Sequence, residues 1–198
     1  MTTETNQKPI VVFVHGGQGC GKSTVTNVLR EQWTHTVLMR LAGVPSTQEN
    51  PQAKSRRYHY EMMQAVYQCG VAQTGMSFVF DRSFLCEKIY ANLGFKEYSF
   101  EEETQFLKEE GLEPLLEHYR VYMILLTANE ETLTKRLCRG DKPQFEQVEF
   151  KAKNSLAQQQ EYLKEFEKLP AGVETFIVAT DGLTGKESAA RVMSLIKK

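Results

Sequence analysis

Short apolar runs rich in β-branched and aromatic residues alternate along this chain with longer stretches of amphipathic pattern. The short runs are typical of buried strands, and the longer stretches are typical of helices. The strands predicted from the short runs cover residues 10–14, 36–41, 77–80, 120–126 and 175–178. Helices are predicted directly after Gly21 and Ser83, and over about 51–69, 100–118, 129–138, 147–169 and 187–197.

Strands that alternate with helices predict an α/β domain, because parallel strands need a crossover long enough to hold a helix. We therefore expect residues 1–198 to form a single domain with a three-layer α/β/α fold and a five-stranded parallel sheet. Right-handed crossovers place the carboxyl ends of the strands at one edge, where ligands bind in such sheets. Residues that directly follow a strand are the first candidates for a functional site.

A glycine-rich segment follows the first predicted strand and leads into the first predicted helix. It matches the pattern G-x-x-x-x-G-K-[ST] in full, in the strand-to-helix context that the pattern requires. Lys22 is expected to bridge the β- and γ-phosphates of ATP and Ser23 to ligate Mg²⁺, whereas the alternative is a simple glycine-rich turn. The predicted ATP-binding residues are Gly16, Gly17, Gln18, Gly19, Cys20, Gly21, Lys22, Ser23 and Thr24.

An acidic residue follows the third predicted strand, in the tripeptide Asp81-Arg82-Ser83. The carboxylate of Asp81 is expected near the phosphate loop, where it can hold Mg²⁺ and its waters or take the proton from an acceptor hydroxyl. Arg82 can bind an anionic acceptor or the group in transfer through paired hydrogen bonds. The alternative is structural, with Asp81 capping the next helix and Arg82 pairing with a surface carboxylate.

A basic segment near residue 139 predicts a lid that closes over the nucleotide, at about residues 136–147. Lys135, Arg136 and Arg139 lie near the end of a predicted helix that stops at Gly140. Such a lid excludes water, and its arginines stabilise negative charge in the transition state. Because the helix dipole also favours cations at this end, a purely stabilising role is the alternative.

A second group of basic and aromatic residues predicts the acceptor side of the site. Arg40 closes the second predicted strand, and Arg57 and Tyr58 lie near the start of the following helix. An arginine can hold an acceptor phosphate and an aromatic ring can stack on a base, whereas the alternative is a solvated basic helix face. Tyr90 and the aromatic residues around it are a further candidate wall for a base, or part of the core.

The order of these motifs resembles that of thymidylate kinases and deoxynucleoside kinases of the P-loop nucleoside monophosphate kinase superfamily, over most of the chain. The matching segments are G-G-Q-G-C-G-K-S-T from Gly16, R-L-A-G from Arg40, R-Y-H-Y-E from Arg57, D-R-S-F-L-C-E-K-I-Y from Asp81 and R-L-C-R-G-D from Arg136. R-L-A-G stands where thymidylate kinases carry R-E-P-G, and D-R-S is similar to the E-R-S of deoxynucleoside kinases.

The resemblance implies ATP as donor, Mg²⁺ as cofactor, a role in nucleotide biosynthesis and, in many relatives, a homodimer. It implies acceptor or transition-state roles for Arg40, Arg57 and Arg82, and lid roles for Arg136 and Arg139. The expected acceptor is a deoxynucleoside monophosphate such as dTMP. The alternatives are a deoxynucleoside 5′-hydroxyl or a nucleic-acid end, and a nucleotide-binding switch without catalysis.

Composition limits the remaining possibilities. The formal net charge of −1 does not favour nucleic acid or an anionic membrane as a partner. The apolar runs are too short to span a bilayer, and residues 1–8 lack the apolar core of a signal peptide, so a cytoplasmic location is expected. Four widely spaced cysteines favour free thiols over a zinc site or a disulfide framework.

Overall fold

A computed structural model describes residues 8–41, 48–138 and 151–196. Its strands are β1 (Ile10–His15), β2 (Thr36–Arg40), β3 (Ser77–Asp81), β4 (Arg120–Thr127) and β5 (Val173–Ala179). They form a parallel sheet of five strands in the order β2-β3-β1-β4-β5. All the predicted strands are present, with ends that differ from the prediction by at most two residues.

Eight helices connect or follow the strands in the described part of the chain. They are α1 (Lys22–Gln32), α2 (Pro51–Val71), α3 (Leu85–Asn92), α4 (Glu101–Leu107), α5 (Glu113–His118), α6 (Glu130–Leu137), α7 (Ala152–Phe166) and α8 (Gly185–Leu195). Within the described ranges, no helix combines the length and the apolar character needed to cross a membrane.

Two apolar cores, one on each face of the sheet, hold the layers together. On β1, Val11 and Phe13 belong to the core shared with α2, α3, α5 and α7, whereas Val12 and Val14 belong to the core shared with α1, α6 and α8. Every residue of β1 is buried, as expected for the middle strand of a sheet covered on both faces. The predicted three-layer α/β/α fold is therefore confirmed, and the loop after β1 is attached to a fully buried strand.

The continuous helix predicted over 100–118 is wrong in its middle. The structure has α4, then a π-helical turn at Lys108–Leu112, and then α5. Pro114 has no amide hydrogen to donate to the carbonyl one turn earlier, which disfavours regular α-helix at this point. Gly111 also lets the turn approach α2 closely, because a Cβ atom there would lie 2.3 Å from Met63 Cε.

Two predicted segments lie partly outside the described residues. The predicted lid at about 136–147 is described only as far as residue 138, so Arg139 falls outside. The helix predicted over 147–169 corresponds to α7, and the start of that prediction also lies outside the described residues.

Candidate active site

The phosphate loop forms the connection between β1 and α1, at the carboxyl edge of the middle strand. Gly21 has a φ of +90°, a left-handed conformation that disfavours side chains, and α1 begins at the next residue. The first amides of a helix have no carbonyl partner within it, so those of Lys22, Ser23 and Thr24 are available to an anion. The helix dipole adds positive potential at the same place, which suits the loop to bind phosphate.

Lys22 folds back over this loop. Its Nζ donates to the carbonyl oxygens of Gly16 at 2.9 Å and Gly17 at 2.8 Å, and only 6% of the residue is exposed. Burial, and next to it the charge of Arg82, lowers the pKa of Lys22 to about 8. The phosphates of a nucleotide would stabilise the protonated amine more strongly than two neutral carbonyl groups do.

Binding of MgATP is therefore expected to take up a proton near pH 8. About half of the free protein carries a neutral Lys22 at that pH, while phosphates raise the pKa of Lys22 and keep it protonated in the complex. The affinity for MgATP should fall as the pH rises through 8 and beyond. Calorimetry at pH 8 in two buffers of different ionisation enthalpy measures the proton uptake, and Lys22→Met is the control. Equal binding heats in the two buffers for the wild-type protein would contradict the predicted uptake.

The phosphate loop is anchored by α3 and α7. The Gln18 amide donates to Gln158 Oε1 at 3.2 Å, and Gln18 Nε2 donates to the Tyr90 hydroxyl at 2.6 Å. Gly17 permits the close approach of α7, because a Cβ atom there would lie 2.5 Å from the carbonyl oxygen of Ser155. Gln18 thus connects the loop to two helices, and its contact with ATP stays a prediction.

Two further loop residues direct side-chain atoms toward neighbouring helices. Cys20 is 1% exposed and packs in the core with Leu133 of α6, and burial raises the pKa of its thiol. A Cβ atom on Gly185 would lie 2.3 Å from Thr24 Cγ2, so the Thr24 methyl group packs against the start of α8. Cys20 can therefore offer a phosphate only its backbone.

Asp81 ends β3 beside the phosphate loop. In the parallel pairing of β1 with β3 it stands opposite Val14, two residues before Gly16. It is 6% exposed, and its Oδ1 atom has no hydrogen-bond partner among the described residues. Leaving a buried carboxylate oxygen unpaired costs free energy, which a bound proton donor or cation would offset.

The turn after Asp81 differs from the structural alternative, in which Asp81 caps the next helix. Ser83 provides the side-chain contact at the start of α3 instead, because its Oγ accepts the amide hydrogen of Leu85 at 3.2 Å. Between them Arg82 has a φ of +84°, a backbone conformation that residues with side chains rarely adopt. The Arg82 amide donates to the carbonyl oxygen of Val14 at 3.1 Å, which ties the turn to β1.

The residues at this edge fit Mg²⁺. Mg²⁺ prefers hard oxygen ligands and retains several waters, so one or two protein oxygens with phosphates suffice. Ser23 is exposed in the first turn of α1, and the unpaired oxygen of Asp81 lies at the end of the neighbouring strand. Both are oxygen donors of the required type.

A cleft of about 400 Å³, including space open to solvent, lies beside the turn that follows β3. A concave site with apolar walls and a few polar groups is typical of small-molecule binding. The predicted Arg82 and Tyr90 are in its lining, whereas Glu87 and Lys96 were not predicted. The lining residues are Leu41, His59, Arg82, Ser83, Cys86, Glu87, Tyr90 and Lys96.

The charges in the cleft partly cancel. Lys96 Nζ lies 3.4 Å from Glu87 Oε2, and the same oxygen accepts a hydrogen bond from the Tyr98 hydroxyl at 2.9 Å. Burial lowers the pKa of His59 to about 4, so its ring is uncharged at neutral pH. In the described part of the chain, Arg82 has no carboxylate within ion-pair distance.

The predicted acceptor residues on β2 and α2 lie outside the lining of this cleft. Arg57 pairs with Glu61 at 2.7 Å, and 79% of its side chain is exposed. Arg40 is exposed and donates a hydrogen bond to an asparagine of α1. Tyr58 is half-buried, with its ring 5.7 Å from that of His59. Contact of these residues with an acceptor stays a prediction.

Arg136 connects the phosphate loop to the segment between β5 and α8. Its Nη1 donates to the Gly19 carbonyl oxygen at 3.2 Å and to Thr180 Oγ1 at 2.9 Å. Its Nη2 donates to the carbonyl oxygens of Thr180 at 2.8 Å and Leu183 at 3.5 Å. The guanidinium thus supports the loop from the face of the sheet that carries α6 and α8, and a transition-state role for it stays a prediction.

No protein-family model matches the chain, and neither does any curated protein. Solved structures match it over most of its length. A deoxyadenosine kinase from M. mycoides with the products dCMP and dCDP bound is 15% identical, with a TM-score of 0.57 over 93% of this chain and 97% of that one. A thymidylate kinase from Candida albicans is 15% identical, with a TM-score of 0.54 over 96% of this chain and 91% of that one.

A polyphosphate kinase 2 from Arthrobacter aurescens TC1 is 16% identical, with a TM-score of 0.64 over 96% of this chain and 66% of that one. All three similar structures are P-loop kinases by fold. At such low identity the similarity establishes the fold of this chain alone, and it agrees with the fold and the resemblance predicted from the sequence.

Proposed function

We propose that this chain catalyses ATP- and Mg²⁺-dependent phosphoryl transfer to a deoxynucleoside or deoxynucleotide bound in the cleft beside Arg82. The observation that carries the proposal is the position of Asp81. Its buried, unpartnered oxygen stands at a strand end with the phosphate loop on one side and the turn that borders the cleft on the other. A carboxylate there can accept the proton of an acceptor hydroxyl or hold Mg²⁺ with its waters.

The residues around Asp81 supply the other parts of such a reaction. Lys22 exchanges its two carbonyl partners for the phosphates of ATP, and Arg82 holds the acceptor oxygen or the group in transfer. Ser23 and Asp81 would hold Mg²⁺, which neutralises charge on the transferred group when bound. Lys22 and Asp81 are buried, and charges interact more strongly in a buried site than in bulk water.

The charges in the cleft favour an acceptor whose reacting group is a neutral hydroxyl. A monophosphate brings nearly two negative charges and needs several cations, but Lys96 in the described lining is already paired with Glu87. A hydroxyl needs a base instead, and Asp81 offers an unpaired carboxylate oxygen. The first candidate acceptor is therefore a deoxynucleoside, phosphorylated at its 5′-hydroxyl as the resemblance to deoxynucleoside kinases implies.

The second candidate acceptor is a deoxynucleoside monophosphate such as dTMP. The order of motifs favours it, and a thymidylate kinase is among the similar structures. This reaction would bring together the additional cations Arg40, Arg57 and Arg139. The first two lie outside the cleft lining, and Arg139 lies outside the described residues.

A panel of acceptors tests the proposal. Purified protein with ATP and Mg²⁺ is expected to form ADP with at least one deoxynucleoside, with kcat/KM higher than for the corresponding monophosphate. The panel comprises thymidine, deoxycytidine, deoxyadenosine, dTMP, dCMP, dAMP and a 5′-hydroxyl oligonucleotide, and mass spectrometry identifies each product. Polyphosphate in place of ATP serves as the donor control.

Each result of the panel has a distinct meaning. Turnover of monophosphates alone would establish the second candidate, and turnover of the oligonucleotide alone would indicate a nucleic-acid kinase. Tight ATP binding without ADP formation for any acceptor would overturn the enzymatic proposal in favour of a nucleotide-binding switch.

A further inference from the structure

His15 is a buried polar residue of the site for which phosphate binding provides no role. It is the last residue of β1, so its backbone leads directly into Gly16 of the phosphate loop. Its side chain is 0% exposed, and its Nε2 atom lies 2.7 Å from Ser83 Oγ. One residue thus joins the start of the phosphate loop to the turn that borders the acceptor cleft.

The second contact of the serine leaves its hydroxyl hydrogen free to be donated to His15. Ser83 Oγ already accepts the amide hydrogen of Leu85, so its own proton is available to His15 Nε2. Burial, and next to it the charge of Lys22, lowers the pKa of His15 to about 3. The ring is therefore neutral and carries one proton, and the tautomer with that proton on Nδ1 makes Nε2 the acceptor of the Ser83 hydroxyl hydrogen.

Aromatic side chains hold the ring of His15 in place. Its centroid lies 5.3 Å from that of Tyr162 and 5.6 Å from that of Phe166, both on α7, and 6.5 Å from that of Phe13. A ring packed in this way has little freedom to turn away from Ser83. The acceptor atom is thus fixed by the same helix that contacts the phosphate loop through Gln158.

The turn held by His15 contains the strained residue of the site. Arg82 has a φ of +84°, and a conformation of this kind persists only where the surroundings over-determine it. On one side of this residue, its own amide donates to the carbonyl oxygen of Val14 at 3.1 Å. On the other side, the Ser83 side chain is held by His15 and by the Leu85 amide.

We propose that His15 is a positioning residue whose imidazole accepts the Ser83 hydroxyl hydrogen and so keeps the Arg82 backbone in the conformation that presents its guanidinium to the acceptor. The kinetic tests of this inference rest on the proposed phosphoryl transfer. It assigns to His15 no contact with substrate and no proton transfer. Its effect is to align the acceptor turn with the phosphate loop, because both are attached to the same residue.

Three variants test the inference with the acceptor that the wild-type enzyme uses best. His15→Leu and Ser83→Ala remove the hydrogen bond, and each is expected to lower kcat/KM for the acceptor by about 10- to 100-fold, the range that small misplacements of reacting groups produce. KM for ATP should stay within about two-fold, because the loop keeps its other anchors. His15→Gln, whose amide oxygen can accept the same hydrogen, should retain most of the activity.

The double variant His15→Leu/Ser83→Ala should be no worse than the poorer single variant, because both changes remove one shared interaction. Losses that add would overturn the inference. So would wild-type acceptor kinetics in His15→Leu, or an equal rise in the KM values of ATP and acceptor.

A readout without catalysis separates this inference from the proposed function. Imidazole ¹⁵N NMR of the wild-type protein between pH 6 and 8 should show His15 neutral with the proton on Nδ1, and Ser83→Ala should shift the Nε2 resonance. Amide hydrogen exchange of residues 82–88 should be faster in His15→Leu and Ser83→Ala. A proton on Nε2, or unchanged exchange in both variants, would overturn the positioning role even if phosphoryl transfer is confirmed. If the ¹⁵N spectra are as expected but the wild-type protein phosphorylates no acceptor, the proposed function is overturned and the positioning role of His15 is not.

Discussion

Lys22→Ala is expected to lower kcat for phosphoryl transfer by about 10²- to 10³-fold, the usual effect of removing a preorganised group that stabilises transition-state charge. Negative charge spreads over the transferred group during the reaction, and Lys22 is the cation built into the loop that holds it. Single-turnover formation of ADP at saturating ATP measures the effect on the chemical step. Thermal unfolding shows whether the variant stays folded, as expected, since the substitution removes a buried charge and keeps the backbone of the loop.

Lys164→Ala is the matched control for Lys22→Ala. Lys164 has a side chain that is 65% exposed and pairs with Glu161 on α7, an ion pair that contributes at most about 1 kcal/mol to stability. We expect wild-type rates from this control variant. A Lys22→Ala rate within about three-fold of the wild-type rate would show that the lysine has no part in transfer.

The sheet could be predicted from the sequence because each strand is indicated by a short run of neighbouring residues. The run I-V-V-F-V is apolar throughout, and only a central strand covered on both faces buries such a run completely. The helix over 100–118 was mispredicted because its apolar pattern continues across the π-helical turn, whereas Pro114 and the contact of Gly111 with Met63 decide the backbone there. That contact joins residues far apart in the chain, and no local pattern reports it.

The positions of the phosphate loop and Asp81 could be predicted for a similar reason: each follows a strand, and parallel strands end at one edge of the sheet. The full lining of the cleft could not, since His59 lies on α2 whereas Glu87 and Lys96 come from the segment after β3, and only the fold brings these two segments together. The left-handed backbone of Arg82 has no signal in D-R-S, because the hydrogen bonds that impose it come from β1.

Helix phase explains why Arg57 lies outside the cleft lining. The buried face of α2 includes Ser55, His59 and Met63, each four residues after the last. Arg57 lies midway between Ser55 and His59, roughly 200° around the helix from either, so it projects toward solvent. The period of α2 was therefore a usable signal, and it favoured His59 over Arg57 as a residue of the acceptor cleft.

Asp81→Asn is expected to lower kcat by about 10²- to 10⁴-fold with a deoxynucleoside acceptor, the range for loss of a positioned general base. The amide has nearly the same shape as the carboxylate, so packing at the end of β3 should be preserved. It cannot accept the hydroxyl proton, and it is a poorer ligand for Mg²⁺ than a carboxylate. KM for ATP should change little if the acceptor proton is the main partner of Asp81, and initial rates at several ATP and acceptor concentrations separate these effects.

Raising the Mg²⁺ concentration distinguishes the two roles of Asp81. Partial recovery of the Asp81→Asn rate at high Mg²⁺ would indicate that the carboxylate chiefly holds the ion, whereas an unchanged loss would indicate the base. Glu131→Gln is the control, because this glutamate is 75% exposed and pairs only with Lys135 in the described contacts. An Asp81→Asn variant as fast as Glu131→Gln under all these conditions would leave the buried, unpaired oxygen without a chemical role, and the proposal that the site transfers phosphate would lose its principal support.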